Sequence, residues 1–157
     1  MRKVVWVVAI LCVAGLAFAY WGRDAGSANA GGFLPHQDRA MVALGAEVYA
    51  AQCAACHGVN LEGEANWRVR GADGLMPAPP HDETGHTWHH PDEVLFMLTK
   101  YGPEAVIGGG YRSAMPAYEG ILSDEAIVAV LAYIKSTWPE EVRTTHDQIN
   151  ERAAANR

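Results

Sequence analysis

Three stretches of the chain repeat apolar residues at helical spacing, and a fourth is apolar without interruption. The uninterrupted one runs from Val4 to Gly22 behind Arg2 and Lys3. At about 1.5 Å per residue a helix of that length crosses a bilayer, and the leading positive charges put its start in the cytoplasm. Tyr20 and Trp21 suit the interfacial belt, which favours an uncleaved anchor over residues 1–22. The competing reading is a cleaved signal peptide, because Ala17-Phe18-Ala19 and Ser27-Ala28-Asn29-Ala30 both have the small-x-small form. Either one exports the rest of the chain.

Residues 23–37 read as a flexible linker, whose Gly, Ala, Ser and Asn give a random-coil reach of about 20 Å. A domain over residues 38–138 comes next. Asp38 is placed as an N-cap, Leu44, Val48 and Ala51 mark one face of the first helix with Gly45 and Tyr49 beside it, and that helix runs into Cys53. From Gly58 to Pro91 glycines and prolines break any period, so this long irregular segment needs something to organise around. A short helix is predicted from Pro91 to Tyr101, with Val94, Leu95 and Leu98 inward and Gly102 as its stop. The strongest period, Ile127, Val130, Leu131 and Ile134, predicts a helix from Asp124 to about Trp138, capped by Ser123, stapled by Leu122 and Ile127 and ended by Pro139. Residues 139–157 are polar and read as a frayed helix or a disordered tail.

A chain of 157 residues holds one such domain comfortably, and a monomeric one is expected. The formal charge is −6, and without the two charges of Arg2 and Lys3 the remainder stands at −8. That excludes a nucleic-acid face and suits a docking partner that offers Lys or Arg.

Chemistry enters at Cys53-Ala54-Ala55-Cys56-His57. Two thiols one helical turn apart add across the two vinyl groups of a haem, and the adjacent imidazole reaches the iron, so C-x-x-C-H in an exported chain points to one covalent haem c. A redox dithiol and half a zinc site are the alternatives. The first wants βαβ units and the second another C-x-x-C, and the sequence supplies neither. Cys12, the third cysteine, lies in the apolar run.

With Gly45-x-x-x-Tyr49-x-x-x-Cys53, the CAACH box, a late Met-Pro pair and a final helix bearing Val130 and Tyr133, residues 38–138 resemble the class I (mitochondrial-type) monohaem cytochromes c, in a membrane-anchored bacterial form. The resemblance implies an all-α fold of three to four short helices around the haem, with Gly45 permitting a close crossing of the first and last helices. It implies His57 and Met115 as the axial iron ligands. Met76, also before a proline, is the rival sixth ligand, a histidine is another, and Met97 is weaker because it falls inside a helix. The resemblance further implies that a proline carbonyl orients His57, from Pro79 or Pro80. Trp67, Arg68, Trp88, Tyr111 and Tyr118 are candidates for the propionate end or the haem edge.

His81, His86, His89 and His90 crowd around Trp88, which departs from an ordinary small cytochrome c. They could bind copper or zinc, or simply hydrogen-bond within their loop. The expected function is single-electron transfer, without enzymatic activity, in a periplasmic respiratory chain on the inner membrane. The partner would be a membrane respiratory complex or a periplasmic oxidoreductase. The alternatives are a fixed haem subunit of a periplasmic dehydrogenase or oxidase complex, and a copper-handling redox protein.

Overall fold

In a computed structural model, residues 33–157 are described, and the anchor or signal peptide and most of the linker lie outside them. Six α-helices account for the regular structure of the described residues: α1 (Arg39–Gln52), α2 (Ala54–His57), α3 (Asp92–Tyr101), α4 (Pro103–Ile107), α5 (Asp124–Thr137) and α6 (Glu140–Ala155). A single 3-10 turn spans Thr87–His89. Among the described residues there is no strand, and no helix is long and apolar enough to cross a membrane.

The cap of α1 forms as its sequence requires, with Asp38 Oδ1 accepting from the N–H groups of Ala40 and Met41. Its buried face differs from the expected one. Gly45 and Tyr49 are buried, whereas Leu44 and Ala51 are exposed and Val48 is half-buried. The reason is the crossing with α5, where a Cβ on Gly45 would stand 2.7 Å from Tyr133 Cβ and collide with the Ala129 carbonyl. The smallest residue therefore decides which side of α1 faces inward.

Helix α5 is the spine of the core. Ser123 Oγ accepts from the Ala126 N–H, and Ile127, Val130, Leu131 and Ile134 pack with Leu34, Tyr49, Leu61, Leu95 and Trp138. Burying each such side chain contributes about 1.5–3 kcal/mol. In α3, Leu95 is buried, Val94 and Leu98 are half-buried, and Gly102 stops the helix with a φ of 79°. Short α4, set between glycines, carries no period in the sequence.

Both ends of the domain extend beyond residues 38–138. Leu34, expected in the linker, is fully buried, and its N–H donates to Asp92 Oδ2 at 3.1 Å. Residues 140–155, expected to be frayed or disordered, form α6 with His146 and Asn150 buried. Asn150 accepts from the Asp92 N–H at 2.8 Å and donates to Asp92 Oδ1 at 3.1 Å. The buried face of α6 is polar, so a search for apolar periodicity passes over it.

Candidate haem site

The site begins where α1 ends. The Cys53 N–H still donates to the Tyr49 carbonyl, and the single turn of α2 carries the chain on through Cys56 to His57. Cys53 is half-buried, Cys56 is exposed, and neither is in a disulfide. Burial first, and Cys56 second, push the Cys53 thiol up to about 11. A dithiol oxidoreductase needs the opposite, a thiolate stabilised at neutral pH.

His57 is buried, and one of its two ring nitrogens is held by a hydrogen bond. Its Nδ1–H donates to the Pro79 carbonyl at 2.8 Å, so the proton sits on Nδ1 and the lone pair of Nε2 is left for a metal. Burial, outweighing the Pro79 bond, lowers the imidazole below its ordinary range and keeps it neutral, as a ligand must be. Pro80 does not share this role, because its carbonyl accepts from the Thr87 hydroxyl at 3.4 Å.

Pro79 is brought there by pairing between two irregular segments. Glu64 N–H donates to Ala78 O at 2.8 Å, His81 N–H to Leu61 O at 2.8 Å, and Gly63 N–H to His57 O at 2.8 Å. Gly63, with a φ of 68°, lies so close to Pro79 and Pro80 that a Cβ would stand 2.7 Å from the Pro79 carbonyl carbon. Tyr49 closes the other side, its hydroxyl donating to Gly58 O at 2.8 Å.

Met115 is half-buried in the arm between α4 and α5, its N–H donating to Ser113 Oγ at 3.1 Å. Three residues on, the Tyr118 hydroxyl donates to the Gln52 carbonyl at 2.7 Å, which ties this arm to the residue before Cys53. Met76 is half-buried in the proline segment that carries Pro79, and Met97 is exposed on α3.

The remaining candidates hold loops together. Trp67 stacks on His86 with ring centroids 5.1 Å apart and lies under the Arg68 guanidinium at 4.0 Å, while Arg68 donates to Thr84 O. Trp88 Nε1 donates to Glu83 O, and Tyr111 lies 5.8 Å from the Arg70 guanidinium.

The histidine-rich loop does not converge on a point. His81 turns inward against His57, His86 packs on Trp67, and His89 lies on Trp88. The His90 carbonyl accepts from His146 Nε2 at 3.0 Å. Among the described residues no three His, Cys, Asp or Glu side chains gather to hold a metal ion. Burial lowers His81 well below its ordinary range, with the neighbouring His57 and His86 adding to the effect. Sequence reading missed the pairing of His81 with His57. Their one shared signal was that His81 comes directly after the two prolines proposed to orient His57.

Two unpaired thiols a turn apart, next to a neutral imidazole whose free nitrogen is Nε2, fit covalent haem c, and Cys53, Cys56 and His57 would hold it. Bound there, the haem supplies reversible one-electron chemistry. No solved structure matches the chain. The family model described as cytochrome c matches residues 42–138, from the second turn of α1 to the residue after α5. On that match and this geometry, the chain belongs to the cytochrome c family, as a class I monohaem member that binds covalent haem c and carries electrons.

Proposed function

We propose that the chain is a membrane-tethered electron shuttle, exported to the periplasmic side of the inner membrane, with His57 and Met115 as axial iron ligands and no catalytic activity of its own. It would pass single electrons between a respiratory membrane complex and a periplasmic oxidoreductase. The observation that carries this reading is the His57 Nδ1–H bond to Pro79, which orients a neutral imidazole beside two unpaired thiols. The tie from Tyr118 to Gln52 favours Met115, because it draws that methionine's arm toward the cysteine turn. Met76 shares a short segment with Pro79, on the side where His57 is already held. A thioether opposite an imidazole raises the potential relative to two imidazoles, and two filled axial positions keep small ligands off the iron.

The test is absorption of the oxidised holoprotein made in a host that matures c-type haem. A weak far-red charge-transfer band from sulfur bound to ferric iron is expected in the wild type and in Met76→Ala, and is expected to vanish in Met115→Ala. Persistence of the band in Met115→Ala, with loss in Met76→Ala, would transfer the ligand. Binding of carbon monoxide to the ferrous wild type would overturn the closed-iron reading. Haem-stained protein in the salt-washed membrane fraction supports the tether, and its recovery wholly in the soluble periplasm would remove it.

A further inference from the structure

His57 has a second neighbour besides Pro79. The ring of His81 lies on the ring of His57 with centroids 4.0 Å apart and planes 23° from parallel. A hydrogen bond from Nδ1–H to one carbonyl fixes where a single ring atom sits, but the ring can still turn about the line of that bond. A flat group against its face removes that freedom.

His81 is itself held on several sides. Its N–H donates to Leu61 O at 2.8 Å, and its carbonyl accepts from Trp138 Nε1 at 2.7 Å. The Thr87 hydroxyl donates to Pro80 O, so its oxygen is left to accept from His81 Nδ1–H at 2.8 Å. Tyr49 meets the ring edge-on at 6.3 Å. The first two bonds belong to the backbone and fix where the side chain starts, whereas the one to Thr87 belongs to the imidazole alone: a leucine or a phenyl ring would lack it, and it stops rotation of the ring about its own axis.

We propose that His81 is a positioning residue, whose imidazole face sets the plane in which His57 presents Nε2 to the iron. The inference rests on His57 being the axial ligand. The plane of an axial imidazole determines which iron d orbital it overlaps, and therefore how unpaired spin spreads over a ferric haem.

The experiment uses the full-length holoprotein and its His81→Leu, His81→Phe and Thr87→Val variants. It records the hyperfine-shifted haem methyl resonances, the g-tensor anisotropy of the ferric state, the midpoint potential and the denaturant midpoint. In His81→Leu the methyl pattern and g-anisotropy are expected to change and the potential to shift. His81→Phe, which keeps a flat face, should restore most of the wild-type pattern, and Thr87→Val, which frees the ring and releases the Pro80 carbonyl while leaving the Pro79 bond to His57 in place, should change it partially. A His81→Leu protein that loses stability but keeps the wild-type methyl pattern and potential would show that the residue only fills space. If His81→Leu fails to mature, Thr87→Val decides alone, and an unchanged pattern there overturns the proposal. Failure of the underlying reading looks different, because the wild type itself would then show no hyperfine-shifted histidine ring signals.

Discussion

Helix α5 meets α1 and α6 seats on its own partners by opposite physical means. The first interface is apolar and rests on backbone proximity, with Gly45 under Ala129 and Tyr133. The second is polar and buried. Asp92, 1% exposed, accepts from Leu34 N–H and Asn150 Nδ2 and lies 3.3 Å from His146 Nε2, and Lys135, also 1% exposed, pairs with Asp147 Oδ1 at 2.5 Å. An apolar interface without titratable groups is insensitive to pH but sensitive to volume. A buried polar one is sensitive to pH and to the loss of any one partner, since each group left unpaired costs its full desolvation.

The largest effect should come from volume in the first interface. Gly45→Val is expected to destabilise the domain by about 3 kcal/mol, because the new side chain meets backbone that cannot move aside, and a denaturant titration of the holoprotein would measure it. In the second interface, Asp92→Ala removes the carboxylate that accepts from Leu34 N–H and Asn150 Nδ2 and faces His146, and should cost about 2–3 kcal/mol by the same measurement. Tolerance of either substitution would erase the contrast.

Next comes pH. His146 is fully buried, its Nε2–H donates to His90 O at 3.0 Å with Asp92 Oδ1 3.3 Å away, and Nδ1 is left without a partner. Burial first, and Lys135 second, lower its folded pKa below 6.5, while Asp92 opposes them. The unfolded chain therefore takes up the proton more readily, so this contribution is whole above about 6.5 and is lost as pH falls through the lower folded value. Thermal melts across that window should show falling stability, with a shallower slope in His146→Gln. The smallest effect belongs to the exposed pair Lys100–Asp124 at 2.7 Å, where Lys100→Ala should leave the melting temperature unchanged at physiological salt.

The same contrast explains what the sequence made legible. The cap at Asp38, the cap at Ser123, the stop at Gly102 and the core stripe of α5 all come from local rules, and all appear where those rules put them. At the site, the thiol pair and its histidine announce themselves by spacing alone. The face of α1 is misread from the pattern because a glycine contributes nothing to hydrophobicity, although it permits the closest approach. Helix α6 escapes notice because its inward residues are His146 and Asn150, which resemble a solvated surface until Asp92, far away in sequence, is brought beside them. The four crowded histidines leave metal binding and bonding within the loop equally readable from spacing. The directions of His81, His86 and His89 are set by Thr87, Trp67 and Trp88, which no spacing rule includes.

Trp138 joins the loop that carries His81 to α6. It is the last residue matched by the family, yet its indole holds the carbonyl of His81, its own carbonyl accepts from Arg143, and its ring meets the edge of His146. A border drawn by kinship thus runs through the middle of a cooperative unit. Anyone trimming this carrier to a minimal version, or fusing it to an electrode-binding peptide or a foreign enzyme, should set the seam after Ala155. A seam at Pro139 would strip the outer bracing from the run of prolines and histidines behind His57.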